Sequence, residues 1–351
     1  MKTDQPIETR KGEEIDLSRL NQYLKVAAPT IGQVLQQKQF PGGYSNLTYL
    51  LSTADKEFIL RRPPFGAAIK SAHDMGREFK VLSLVKPHYS KIPNPIIFCE
   101  DGAAIGAPFY IMERIKGSIL RPSLVREIKF SQEEMRSISE SLVDNLIELH
   151  AIDIHSTQLV QLGKPEGYIQ RQVEGWTKRY DASRTDQINE IDTLSQWLNK
   201  NQPMDNPPTL LHNDYKYDNV VLNEVRPSEI IGVLDWEMAT VGDPWMDLGA
   251  SLAYWAEDKD DDLAKVFNIS WLPGNLTRNE VVERYIARSG RNVSNPLFYY
   301  VFGLYKNAVI AQQIYARWKQ GHSKDPRFGQ LINVINNLGK RGVEAIEKDR
   351  I

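Results

Sequence analysis

Apolar positions in the first third of this chain come in short strand-like runs separated by turn residues. Leu47-Thr48-Tyr49-Leu50-Leu51 and Phe58-Ile59-Leu60-Arg61-Arg62 flank a turn at Ala54-Asp55, which predicts strand, turn and strand. Two more strands are predicted from Pro95 to Glu100 and from Ala107 to Met112, joined through Asp101-Gly102. Between these pairs, Met75, Phe79 and Leu82 recur at helical spacing, and Ser71 with Asp74 has the spacing of a capping box, so a helix is predicted from Ser71. At Glu113-Arg114-Ile115-Lys116-Gly117 the strand pattern breaks. Farther on, Leu304, Ala308, Ala311, Tyr315 and Trp318 share one helical face, as core positions do. A small sheet, a connector and a long helical remainder predict an α+β chain of two lobes. The expected boundaries are 16–115 for the sheet lobe and 116–351 for the helical lobe. Residues 1–15 are read as a disordered tail, after which Asp16-Leu17-Ser18-Arg19-Leu20 opens a short helix.

One hairpin interrupts the helical remainder. Val220-Val221-Leu222, a polar turn through Asn223, Glu224, Arg226, Pro227 and Ser228, and Ile230-Ile231-Gly232-Val233-Leu234 have its signature. Just before it stands His212-Asn213-Asp214-Tyr215-Lys216-Tyr217-Asp218-Asn219, and just after it Asp235. In phosphoryl-transfer loops an Asp accepts the acceptor hydroxyl proton, an Asn five residues on holds magnesium, and a second Asp beyond a hairpin holds magnesium as well. Antiparallel pairing would set Asn219 beside Asp235. Lys216, two residues past the candidate base Asp214, is a cation placed to offset charge on transferred phosphoryl oxygens. Singly, each of these is an ordinary loop residue; the four in fixed order are not. His212 is read as a packed histidine that braces the backbone.

Candidate nucleotide contacts lie in the sheet lobe. Gln39-Phe40-Pro41-Gly42-Gly43-Tyr44-Ser45-Asn46 puts two glycines and a serine ahead of a strand, where backbone amides can approach phosphate oxygens; a plain hairpin turn also uses glycines. Arg61 is a strand cation of the kind that meets nucleotide phosphates, and Glu78, on the helix face shared with Leu82 and Val85, is its candidate partner. Glu113 opens the connector whose backbone would contact adenine. Asp243-Pro244 reads as N-cap and first helical residue, with Asp247 in the first turn.

Composition narrows the class. The formal net charge of -2 and 41% hydrophobic residues suit a soluble globular chain of 351 residues and lack the basic excess of a nucleic-acid binder. The single cysteine, Cys99, excludes an internal disulfide and favours a reducing compartment. No apolar run approaches the roughly 20 residues of a membrane span, and the polar N-terminus has no signal-peptide core. A cytoplasmic enzyme with no membrane or nucleic-acid partner is expected.

The chain resembles the aminoglycoside phosphotransferase-type small-molecule kinases, within the protein-kinase-like fold, over nearly everything after residue 28. The resemblance rests on Gly43-Tyr44-Ser45-Asn46-Leu47-Thr48-Tyr49, Ile59-Leu60-Arg61-Arg62-Pro63-Pro64, Arg77-Glu78-Phe79, Phe109-Tyr110-Ile111-Met112-Glu113-Arg114 and Leu234-Asp235-Trp236-Glu237-Met238-Ala239-Thr240-Val241-Gly242-Asp243-Pro244. It is strongest for the branch related to the kinase-like domains fused to animal acyl-CoA dehydrogenases. It implies a bilobal fold with a small antiparallel-sheet N-lobe and a larger, mainly helical C-lobe, ATP and magnesium as cofactors, Arg61 in the usual place of lysine with Glu78 as its partner, Asp214 as base, and Asn219 and Asp235 as metal ligands. It also implies a buried role for Asp247 beneath the catalytic loop. Asn213 stands where glycine is common in the branch, and Trp236-Glu237 replaces the Phe-Gly of protein kinases.

Acceptor chemistry stays open at this point. Lys306, Gln313 and Arg317 with Trp176, Lys178 and Arg179 would suit an anion, whereas Glu257, Asp258, Asp260, Asp261 and Asp262 would attract a polycation; solvated faces explain both. The expected activity is phosphoryl transfer from Mg-ATP to a hydroxyl of a small molecule, with a hydroxy acid or hydroxyacyl thioester ahead of an antibiotic. The alternative is a nucleotide-binding regulatory pseudokinase without turnover.

Overall fold

The alternation in residues 57–62 organises the N-terminal part. A computed structural model of the chain describes residues 5–41, 46–64, 75–102, 104–323 and 325–351. Its first elements are α1 (Leu17–Ala27), β1 (Gln36–Gln39), β2 (Leu47–Ser52), β3 (Glu57–Arg62), α2 (Met75–Val85), β4 (Pro95–Cys99) and β5 (Phe109–Glu113). The strands form one antiparallel sheet in the order β1-β2-β3-β5-β4. Because side chains alternate along a strand, Phe58 and Leu60 of β3 enter a core with Leu20, Leu24, Tyr49, Leu51, Phe109 and Ile111, while Arg61 lies on the other face. Arg61 is opposite Thr48 on β2 and Tyr110 on β5. The helix α2 packs against β4 and β5 and buries Glu78 along with Met75, Val81, Leu82 and Val85. The predicted helix start at Ser71, and Gly42, Gly43, Tyr44 and Ser45 of the glycine loop, lie outside the described residues.

Two features depart from the sequence reading. β1 reads Gln-Gln-Lys-Gln and offers no apolar alternation, yet it pairs with β2 as an edge strand. Residues 5–15, expected to be disordered, lie along that edge. Ile7 and Gln39 exchange backbone hydrogen bonds of 2.8 and 2.9 Å, the Tyr49 hydroxyl donates to the Glu13 carbonyl, and Ile15 is buried. The cause is hydrogen-bond demand: edge amides, the Gln39 side chain and a buried phenol need partners, and this polar segment supplies them.

The chain divides into two units. One holds residues 1–119, 221–226 and 230–237; the other holds 120–220, 227–229 and 238–351. The boundary differs from the expected 115/116 because the hairpin of β7 (Val220–Leu222) and β8 (Ile230–Val233) is largely drawn into the first unit, where Ser118 and Leu222 exchange backbone hydrogen bonds. The second unit is mainly helical. Its elements are α3 (Gln132–His150), α4 (Tyr168–Ser183), α5 (Asn189–Lys200), β6 (Thr209–Leu211), β9 (Thr240–Gly242), α6 (Pro244–Tyr254), α7 (Asp262–Lys265), α8 (Arg278–Ser289), α9 (Pro296–Lys319) and α10 (Leu331–Lys348). Ser131 and Glu134 close a capping box at the start of α3. α9 is buried along most of its length and approaches α6 through Gly249 and Gly303; a Cβ on Gly303 would strike the Gly249 carbonyl. This is the bilobal α+β plan expected from the pattern. Among the described residues, no helix is long and apolar enough to cross a membrane.

Candidate active site

β6 and β9 pair antiparallel, and β6 delivers the chain to His212. The segment that follows is rich in Asp, Asn, Lys and His and cannot be fixed by apolar packing. Its anchor is Asp247, fully buried in the first turn of α6. That helix begins as expected, with Asp243 accepting from the Trp245 amide at 2.8 Å and Pro244 in the first turn. Asp247 accepts from the His212 amide at 2.6 Å, the Asn213 amide at 2.7 Å and His150 Nε2 at 3.1 Å. Burial alone would raise its pKa, but hydrogen bonding and charge from His150 and His212 hold it below the ordinary carboxylate value. The carboxylate therefore stays ionised beneath the loop.

Asn213 adopts a left-handed conformation, φ 66°, a region that glycine enters freely and asparagine tolerates better than most other side chains. Its side-chain amide donates to the Met238 carbonyl (3.1 Å) and to Tyr168 (3.3 Å), and its own carbonyl accepts from Lys306. With this residue fixed, Asp214 follows. The Asp214 amide donates to His212 Nδ1 at 3.3 Å, so His212 braces the backbone. The Asp214 carboxylate accepts from Lys216 Nζ at 2.6 and 2.8 Å and from Asn219 Nδ2 at 2.8 Å. Asn219 also donates to the Asp214 carbonyl, which leaves its amide oxygen as the remaining donor atom. Lys216 stacks over the Tyr254 ring at 4.7 Å. Burial opposes its charge, yet Asp214 carries its pKa well above the ordinary lysine value. Burial pushes the neighbouring Asp218 carboxyl up.

The N-terminal unit gathers a second cluster. Arg61 Nη1 donates to Glu78 Oε1 at 2.5 Å, and the pair is almost completely buried. Arg61 also reaches Asp235 Oδ1 at 3.2 Å and Glu237 Oε2 at 3.7 Å. Burial would lower the Arg61 pKa, but Glu78, Tyr110, Asp235 and Glu237 together hold it well above normal, so the guanidinium remains charged. Asp235 has φ 67°, the left-handed region again. Asn46 Nδ2 donates to Glu237 at 3.1 Å, and Arg77 donates to the Glu237 carbonyl.

The sequence-predicted residues thus fall into two sets, Asp214, Lys216 and Asn219 in the C-terminal unit and Arg61, Glu78, Asp235 and Asn46 in the N-terminal unit. Glu113 ends β5 as an exposed residue. Ser45 lies outside the described residues. Glu237, Tyr254 and Lys306 were missed as members of these clusters. A carboxylate two residues past Asp235 was the available signal for the first. Nothing in the pattern singled out Tyr254, and Lys306 had been grouped with Gln313 and Arg317 on a basic face instead.

Among the described residues, no cluster of three or more His, Cys, Asp or Glu could hold a metal ion by itself. Asn219 in one unit and Asp235 in the other each offer a hard oxygen donor, the kind that magnesium takes alongside waters and substrate phosphates.

The sequence profile of the family described as "Phosphotransferase enzyme family" matches residues 36–281. The chain is 33% identical over 350 residues to "Acyl-CoA dehydrogenase family member 11" of Rattus norvegicus, covering 97% of this chain and 44% of that protein, so it spans less than half of the relative it matches. Among solved structures, an aminoglycoside-phosphotransferase-like protein of Ralstonia eutropha superposes with a TM-score of 0.80 at 27% identity, over 95% of this chain and 99% of that one. A phosphotransferase solved with GDP and kanamycin shares the fold at TM-score 0.62 and 13% identity, over 92% of this chain and 98% of the other.

Proposed function

The chain belongs to the phosphotransferase enzyme family, and on that premise we propose that it transfers the γ-phosphoryl group of Mg-ATP to a hydroxyl of a small molecule. One observation supports this most. Asp214 is a partly accessible carboxylate, 17% exposed in its side chain, set beside the cation of Lys216 and the amide of Asn219 by a loop that buried groups hold. Asp214 orients the acceptor hydroxyl and takes its proton as the oxygen bonds to the γ-phosphorus and ADP leaves. Lys216 offsets charge that builds on the transferred oxygens. Arg61, held by Glu78, faces the nucleotide phosphates, with Asn46 beside them and the Glu113 connector lying along the adenine. Magnesium, when bound, would neutralise the nucleotide phosphates, and Asn219 and Asp235 are the residues that would hold it.

For the acceptor we favour a hydroxy acid or hydroxyacyl thioester over an aminoglycoside. The relatives named for acyl-CoA dehydrogenases support this, and so does the C-terminal unit itself. Two members of its acidic run are already engaged, Asp260 at 2.5 Å and Glu257 at 3.7 Å from Arg278, which leaves less charge for a polycation. Arg179 stacks on Trp176 at 4.7 Å.

The test is ADP release across panels of hydroxy acids, hydroxyacyl thioesters and aminoglycosides, for wild type and Asp214→Asn. The variant should keep Mg-ATP affinity by calorimetry and lose about 10²- to 10⁴-fold in turnover. Wild-type turnover in the variant removes Asp214 from the mechanism. Nucleotide binding with no phosphorylated acceptor from either protein would make it a regulatory nucleotide binder.

A further inference from the structure

Lys306 is the most unusual charged residue of the C-terminal unit. It sits in the middle of α9, only 3% exposed, where the helical pattern had suggested a solvated basic face shared with Gln313 and Arg317. Arg317 is exposed and Gln313 half-buried. Lys306 alone of the three turns inward, and its Nζ donates to the Asn213 carbonyl, the peptide group whose amide side is Asp214. Its other flank meets the Trp176 ring of α4. Burying an ammonium against one carbonyl and one indole is costly, and a methionine or leucine would fill the same space without that cost.

We propose that Lys306 is the positioning residue of the catalytic loop: its ammonium clamps the Asn213–Asp214 peptide from the side opposite Asp247 and thereby fixes the direction of the Asp214 carboxylate. The inference rests on Asp214 being the base. The peptide chain at Asn213 is held at both ends by opposite charges, with Asp247 on the N–H and Lys306 on the carbonyl. Such bonds are roughly twice as strong as neutral ones. The left-handed turn at Asn213 adds strain that a weaker grip would release.

This clamp weakens as pH rises. Burial lowers the Lys306 pKa from 10.5 to about 8; the carboxylates of Asp214 on the loop and Asp247 on α6 pull it upward, and Lys216 pushes it down. On the α4 side, Arg179 stacks on the Trp176 ring that Lys306 meets. Loss of the proton leaves a neutral amine and a weaker hydrogen bond to the Asn213 carbonyl.

Two measurements on the full chain test this. The first is NMR of 13C-lysine- and 15N-labelled protein, with Lys306 assigned through Lys306→Met. Lys306 should titrate with a midpoint near pH 8, and the Asp214 amide, which reports the Asn213 carbonyl, should shift with the same midpoint in wild type and not in Lys306→Met. In Asp214→Asn the Lys306 midpoint should fall, since one supporting carboxylate is gone. A Lys306 midpoint at or above 10, or an Asp214 amide indifferent to it, overturns the proposal whether or not the protein is a kinase. The second is magnesium-dependent ATP hydrolysis with water as acceptor. Wild-type rates should fall about tenfold per pH unit above the midpoint. Lys306→Met should be at least tenfold slower at pH 7 with unchanged Mg-ATP affinity and no alkaline limb, and Lys306→Arg should keep most of the rate and move the limb beyond pH 10. Identical pH profiles in wild type and both variants defeat the clamp. If wild type neither binds nor hydrolyses Mg-ATP, the kinase reading falls and the NMR result alone decides the clamp.

Discussion

The Arg61–Glu78 pair should respond asymmetrically to removal of either partner. Arg61 has three carboxylates around it, Glu78 at 2.5 Å, Asp235 at 3.2 Å and Glu237 at 3.7 Å, whereas Glu78 is 1% exposed and has Arg61 as the cation that holds it. Arg61→Met strands a buried carboxylate, and losing one partner of a buried pair costs about 3–5 kcal/mol. Glu78→Met leaves Arg61 two carboxylates and should cost about 1.5–3 kcal/mol, the worth of a hydrogen bond between charged groups. The double variant removes both charges while keeping volume, so its cost should fall short of the sum by about 2–3 kcal/mol. Urea unfolding at pH 7.5, read by tryptophan fluorescence, gives all three values.

The pH dependence gives the same pair a second check. Burial already pushes the Glu78 pKa above 4.5 while Arg61 pulls it down; without Arg61 the shift grows. Folding of Arg61→Met then takes up a proton at Glu78 in the window above 4.5, so the variant recovers stability as pH falls toward that value. Its defect should be largest at pH 7.5 and smaller at pH 5.5. Additivity within about 0.5 kcal/mol, or a larger cost for Glu78→Met than for Arg61→Met, would refute the argument.

Three further outcomes are expected. Asp247→Ala leaves the His212 and Asn213 amides and the His150 ring without their buried acceptor, and should cost about 3–5 kcal/mol in urea unfolding; a loss below about 1 kcal/mol would mean the loop is anchored elsewhere. Asn213→Gly tolerates φ 66° and should lose about 1 kcal/mol for its side-chain bonds, whereas Asn213→Val should lose a further 1–3 kcal/mol to backbone strain, so equal melting temperatures would contradict the left-handed assignment. Because the Lys306 pKa is lowered from 10.5 to about 8, the unfolded chain binds more protons between those values, and wild type should gain about 1–3 kcal/mol relative to Lys306→Met as pH rises through that window. A pH-independent stability difference would remove the buried ammonium.

What the chain announced, and what it hid, divides along one physical line. Periodic apolar residues predicted β2 through β5, and chemistry in a fixed local order placed Lys216 and Asn219 within hydrogen-bonding distance of Asp214, because short-range spacing is itself geometry. Asp243-Pro244 announced α6 for the same reason. β1 was silent, since its four polar residues gain their strand state from pairing with β2 and not from burial of an apolar face. The order in residues 5–15 was silent too, being set by acceptors and donors on β1 and β2. Lys306 was misread because its burial depends on a loop 93 residues away. A helical face shared with Gln313 and Arg317 is polar in pattern whether or not one member is covered.

The placement of opposite charges around Asn213 suits the role proposed for Asp214. A carboxylate that accepts a proton from an acceptor hydroxyl has to keep its direction while its own charge changes, and neutral packing cannot resist that change. An anion on the Asn213 amide and a cation on its carbonyl oppose rotation of the residue in either sense, and both charges stand on helices, α6 and α9, whose close approach at Gly249 and Gly303 fixes their separation. Widening that approach should loosen the clamp without touching any charged group. Gly303→Ala drives a methyl into the Gly249 carbonyl, so it should lower turnover together with stability, and the Asp214 amide should lose its response to Lys306 titration. A Gly303→Ala protein of reduced stability whose Asp214 amide still follows Lys306 would show that the clamp is local to the loop and does not depend on the packing of the two helices.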